Sequence, residues 1–108
     1  MKNIEKSKIL NLCDEITYLE NQIVSKIITQ NKHRSLTLFS IDKNQEISTH
    51  TTKGDALVQI LDGTAQITID DKNYILNAGE SIIMPKNIPH SLYAKERFKM
   101  LLGVYFEE

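Results

Sequence analysis

The sequence predicts an all-β domain, a small barrel or sandwich of short strands, and three observations carry that expectation. Apolar residues alternate with polar ones at period two, most clearly where Ala65, Ile67 and Ile69 interleave with Gln66, Thr68 and Asp70. Several further short runs are rich in β-branched residues and leucine. Between the runs stand clusters of Gly, Pro, Asn and Asp at spacings that suit tight turns.

Taken in order, residues 1–22 differ from the rest. Ile4, Ile9, Leu10, Leu12, Ile16 and Leu19 fit helical spacing loosely, with acids between them, so this stretch reads as a short helix or an irregular arm packed on the barrel. Residues 23–108 are the barrel. Ile23 to Thr29 suits a strand, and Leu36, Leu38, Phe39 and Ile41 read as a strand covered on both faces. Leu57 to Leu61 and Ala65 to Ile69 are read as two strands joined by Asp62-Gly63, a short-range hairpin signal because glycine accepts positive φ. Asp70-Asp71-Lys72-Asn73 and Asn77-Ala78-Gly79 are further turns, and Pro85 and Pro89 bracket another. Met100 to Phe106 is the last strand.

The totals limit the function classes. A chain of 108 residues with 41% apolar and 25% charged residues has the size and composition of one globular domain. A net charge of -1, with both signs interspersed, gives no basic face for nucleic acid and no polybasic stretch for a membrane surface. Met1 to Leu12 has no continuous apolar core of the signal-peptide kind, and no later run is long enough to span a bilayer. A cytoplasmic location is therefore expected. Cys13 is the only cysteine, so no intramolecular disulfide forms, and an idle thiol is the expected reading. His33, in the polar stretch Gln30 to Arg34, is expected in a solvated turn.

From Ile47 onward the punctuation resembles that of the cupins. Their first motif runs His-x-His, three or four residues, Glu, six residues, Gly; the second runs Gly, five residues, Pro-x-Gly, two residues, His. Here Gly63 closes the first motif after Leu57 to Asp62, and the second reads from Gly79 through Pro85-Lys86-Asn87-Ile88-Pro89 to His90. The chain thus resembles small single-domain RmlC-like cupins of the conserved-barrel (cupin_2) type over roughly residues 36–106. The resemblance implies a double-stranded β-helix, or jelly-roll barrel.

Its departures fall on the metal ligands. His50 stands at the first histidine position, Thr52 at the second, Ala56 at the glutamate, and Asn87 replaces the second motif's glycine. Two expected ligands remain, His50 and His90. The resemblance then implies at most a weakly held divalent metal (zinc, nickel, iron or manganese), with Asp55 and Glu46 as the nearby extra donors. Alternation aims Asp55 away from the barrel.

Strand parity gathers the expected ligand pocket from His50, Thr52, Ala56, Val58, His90, Leu92 and Met100. Phe98, Met100, Leu102 and Val104 share one face of the last strand, while Tyr93 and Lys99 have the opposite parity. The leading expectation is a barrel that binds an unidentified small molecule. The alternatives are a metal-dependent enzyme of isomerase or oxygenase type, and a structural or regulatory dimer without catalysis. A homodimer is expected in any case, with Ile16 to Gln30 as the paired or exchanged segment.

Overall fold

The computed structural model describes residues 1–106. Eight strands follow the arm: β1 (Ile23–Gln30), β2 (Arg34–Ile41), β3 (Glu46–His50), β4 (Asp55–Ile69), β5 (Lys72–Asn77), β6 (Ser81–Met84), β7 (His90–Tyr93) and β8 (Phe98–Tyr105). All pairings are antiparallel. One sheet runs β1-β2-β8-β4-β6 and the other β5-β4-β7-β3, so the long strand β4 belongs to both. The result is the jelly-roll barrel the sequence predicts.

That sharing corrects the reading of Asp62-Gly63. The two residues do not close a hairpin; they lie inside β4 at a bulge against β8, where the register slips between Ile60 and Asp62. Before the bulge Ala56, Val58 and Ile60 are buried, and after it Ala65 and Ile67, so the inward parity changes from even to odd. One inserted residue accomplishes this, and the added bend carries the strand from one sheet to the other. Gly63 has φ +76°, and a Cβ there would overlap the Arg97 carbonyl oxygen. Hence glycine: the position demands both a left-handed backbone and an empty side chain.

The remaining turns fall where expected, except that Lys72, Asn73 and Asn77 already belong to β5. Asp70-Asp71 links β4 to β5, with Ile69 opposite Lys72 and Asp70 at positive φ. Gly79 ends the next turn at φ +91°. Asn87, at the position of the motif's glycine, has φ 62°. Asparagine is among the few residues that adopt this conformation readily, so the loop keeps its shape without glycine.

Two apolar clusters hold the fold. The barrel interior contains Ile41, Ala56, Val58, Ile60, Ala65, Ile67, Leu92, Phe98 and Met100 among others. The second cluster lies outside the first sheet, where Ile16, Leu12 and Ile4 of the arm cover Ile28, Leu38 and Leu101. Strand β2 therefore serves both, Leu38 outward and Ile41 inward, as its doubly apolar sequence requires. The arm is irregular, with one 3-10 turn at Leu12–Glu15. Its anchor is Tyr18, whose hydroxyl donates to Asp62 Oδ2 at 2.6 Å beneath the guanidinium of Arg97. Lys99 closes the contact, its Nζ donating to the Cys13 carbonyl at 2.7 Å. The segment Ile16 to Gln30 is paired within the chain: β1 adds to β2, and the Lys2 N–H donates to the Ile28 carbonyl on its outer side.

Candidate functional site

At one end of the barrel the two sheets stand apart around a cavity of about 270 Å³. Strand β8 supplies Met100, Leu102 and Val104; β7 supplies His90 and Leu92; β4 supplies Ala56 and β6 Met84. Phe39, Ile47 and Ile23 also line it, and His50 and Thr52 stand at the end of β3 and in the loop beyond it. No lysine, arginine, aspartate or glutamate is among these lining residues. The loop leading into His90 is fastened to the segment from Thr52 to Asp55 by two hydrogen bonds. Asn87 N–H donates to the Thr52 carbonyl at 2.8 Å, and Lys86 N–H donates to Asp55 Oδ1 at 2.9 Å.

Six of the seven residues expected in the pocket, His50, Thr52, Ala56, His90, Leu92 and Met100, come together on this wall. Val58 does not: it is fully buried one inward position beyond Ala56, in the closed core. Phe98 is likewise core rather than mouth, because it lies opposite the bulge at Gly63. Leu102 and Val104 line the cavity with the parity expected of them. Phe39, Ile47 and Met84 were missed, although the alternation of β2 already put Phe39 on the side of Ile41. Tyr93 and Lys99 face outward, Tyr93 to Asn44 and Lys99 to the arm.

The two histidines are cross-strand partners between β3 and β7, their rings edge to face with centroids 4.4 Å apart. They do not hydrogen-bond each other or the threonine. His50 Nδ1 lies 2.7 Å from the Ser48 carbonyl, and His90 Nδ1 lies 3.1 Å from the Ile88 carbonyl. A carbonyl oxygen only accepts, so in the neutral form of each ring Nδ1 carries the proton and Nε2 is left as a lone-pair acceptor. His50 is exposed at the rim. His90 is buried, and burial lowers its pKa; the Ile88 carbonyl pulls it partly back up, and the neighbouring His50 lowers it again.

A resident metal does not fit this donor set. Zinc sites use at least three protein ligands, and only two imidazoles face the cavity. The carboxylate of Asp55 is turned to the Lys86 N–H, and Glu46 is exposed on β3 opposite Tyr93. Among the described residues, no three His, Cys, Asp or Glu side chains gather at a common point. Neither Cys13, in the arm, nor His33, in the β1–β2 turn, is among the lining residues.

Comparison with known proteins agrees with this architecture. The family described as "Cupin domain" (Cupin_2) matches residues 37–104. A conserved protein of unknown function from Streptococcus pyogenes is 46% identical, with 99% of this chain and 94% of that one aligned at a TM-score of 0.96. A cupin superfamily protein from Desulfitobacterium hafniense is 32% identical over 98% of this chain and 97% of its own, at a TM-score of 0.93. A cupin 2 conserved barrel domain protein from Leptotrichia buccalis is 39% identical over 89% of this chain, which spans 47% of that protein, at a TM-score of 0.87. No curated protein matches this chain. Among the described residues, no helix is long and apolar enough to cross a membrane.

Proposed function

This chain belongs to the cupin family, and from that premise we propose that its barrel binds a small molecule in the cavity beside His50 and His90, without a resident metal. One observation carries the reading: an apolar cavity of about 270 Å³ whose few polar groups converge from one side. Concave apolar sites with a small number of oriented polar groups are the ordinary form of small-molecule sites. The same donor set weighs against the enzyme reading, because an oxygenase-type iron centre needs a carboxylate where this chain has Ala56. The proposal places the protein in the cytoplasm, where the lone thiol of Cys13 stays reduced.

The test is fragment binding by ligand-observed NMR to the wild type and to Ala56→Leu, which fills the cavity from its wall. Binding lost in a folded Ala56→Leu variant supports the cavity as the site, and binding unchanged there refutes it. Metal content by mass spectrometry, beside His50→Ala and His90→Ala, is expected to be well below one equivalent in all three proteins.

A homodimer is the second part of the proposal, and a surface feature favours it. Leu57, Ile83 and Tyr105 are exposed on the outer face of the first sheet, with Leu57 opposite Ile83 and Gly103. A groove there includes Leu36 and Leu101, which also pack in the cluster beneath the arm, so the patch continues the strip the arm covers. A second copy laid on this face by a two-fold axis would bury what the arm leaves open. Sedimentation of the wild type and of Ile83→Glu tests it: a dimer that the substitution splits is expected, and a wild-type monomer refutes it.

A further inference from the structure

Three polar side chains line the cavity, and all three have already given away their only proton. His50 Nδ1–H donates to the Ser48 carbonyl at 2.7 Å, His90 Nδ1–H to the Ile88 carbonyl at 3.1 Å, and the Thr52 hydroxyl to the Gly54 carbonyl at 2.8 Å. Each partner is a main-chain carbonyl two residues away along the chain, so the strands and loops that form the wall also fix these protons. What remains toward the cavity is acceptor capacity: two imidazole Nε2 lone pairs and those of one hydroxyl oxygen. Neither Nε2 has a protein hydrogen-bond partner among the described residues. His90 is only 2% exposed, yet among the described residues no buried side-chain nitrogen is without a partner; its free Nε2 therefore keeps some accessible surface, and His90 lines the cavity.

The wall also lacks any cation, so a carboxylate or phosphate entering it would lose its water and gain neither a donor nor a counter-charge. An O–H group meets the opposite situation, because neither imidazole Nε2 has a protein partner to give up and that of His90 is on a buried ring. The rest of the wall specifies the body of the ligand. An apolar cavity of roughly 150 Å³ holds benzene, so about 270 Å³ takes a single ring with a short substituent. Met84, Met100 and Phe39 line it, and thioether sulfur and aromatic edges both favour an aromatic ring.

We propose that the pocket selects an uncharged monocyclic phenol, its hydroxyl donating to an imidazole Nε2 and its ring lying among Met84, Met100 and Phe39. This rests on the small-molecule reading above and names its ligand class.

The experiment uses three probes of one shape, 4-ethylphenol, ethylbenzene and 4-ethylbenzoate, titrated into the full chain at pH 8 and followed by protein NMR. The phenol is expected to bind roughly five- to tenfold more tightly than ethylbenzene, the worth of one hydrogen bond, and the benzoate not measurably. In His90→Leu, and in His50→Ala at the exposed rim, where folding is under less threat, ethylbenzene binding should persist. The preference for the phenol should shrink in at least one of the two. Benzoate binding as tightly as the phenol, or phenol and ethylbenzene binding alike, overturns the acceptor-wall inference while leaving the pocket standing. If none of the three binds, the small-molecule reading fails and takes this inference with it.

Discussion

Restoring the two missing ligands should turn the pocket into a metal site. The perturbation is the double substitution Thr52→His, Ala56→Glu, which adds an imidazole and a carboxylate to His50 and His90 on a wall that all four positions already share. Ala56 has no exposed surface. A carboxylate placed there without a partner should cost at least about 2 kcal/mol. At about 4 °C per kcal/mol for a domain of this size, the metal-free variant should melt roughly 8 °C or more below the wild type. Binding to the folded state alone then returns about 2.7 kcal/mol at a metal concentration of 100 times Kd, or roughly 10 °C. The assay is thermal unfolding by circular dichroism, with chelator and then with zinc, nickel or manganese, beside the wild type under the same conditions. A variant that none of the three metals stabilises beyond the wild type would show that positions 52 and 56 do not converge with the histidines. The alignment of the family's first motif onto this chain would then be wrong.

Four other substitutions follow from the packing and the site. Gly63→Ala should destabilise by roughly 2–5 kcal/mol, combining a left-handed alanine with overlap on a carbonyl that cannot rotate aside. Gly79→Ala, at φ +91° with nothing within 4 Å, should cost only roughly 1–2 kcal/mol, and equal midpoints for the two in urea would refute the steric argument. Tyr18→Phe keeps the ring under Arg97 and loses the hydroxyl that burial and Asp62 hold protonated. A loss of about 1–2 kcal/mol at unchanged m-value is expected, and no change would mean the arm is held by apolar contact alone. His90 has a folded pKa depressed below 6.5 by burial, so its contribution is complete above that pH. It is lost as the pH falls from 6.5 through the lower folded value, because the unfolded chain takes up the proton first. The decline in stability between pH 7 and 5 should be shallower in His90→Asn than in the wild type, and parallel curves would refute it.

How much of this was legible in the sequence depends on whether the signal was local. The even parity of Ala56, Val58 and Ile60 and the odd parity of Ala65 and Ile67 were both plain. What joins them was ambiguous: Asp-Gly between two apolar runs supports a hairpin or a bulge equally well. Only the partners decide, since one half of β4 pairs with β6 and β8 and the other half with β5 and β7. The parity change was itself a clue, because a strand that changes face without reversing has to contain an extra residue. Strand β3 was hidden for another reason. Glu46–His50 contains one apolar residue, and its pairing with β7 is irregular between Ile47 and His50.

The candidate site shows the same division. Ala56, His90, Leu92 and Met100 on the wall followed from parity, whereas Ile23, Phe39, Ile47 and Met84 were missed. The error at Val58 is one of depth, since alternation tells inside from outside but not mouth from floor. The protonation pattern had no sequence signal at all. His50 and His90 look in the sequence like the remnant of a metal centre, and their residue types are those of ligands. Their Nδ1 bonds to carbonyls are also what a ligating histidine makes with its second nitrogen. With two donors lost, the same geometry has a different chemical meaning, because imidazoles held with Nε2 free remain acceptors whether or not a cation is there to use them. The presence of Thr52 and Ala56 where the motif has ligands therefore changes what the wall can hold without disturbing how it is built. The backbone carbonyls of Ser48, Gly54 and Ile88 keep the proton positions fixed in either case.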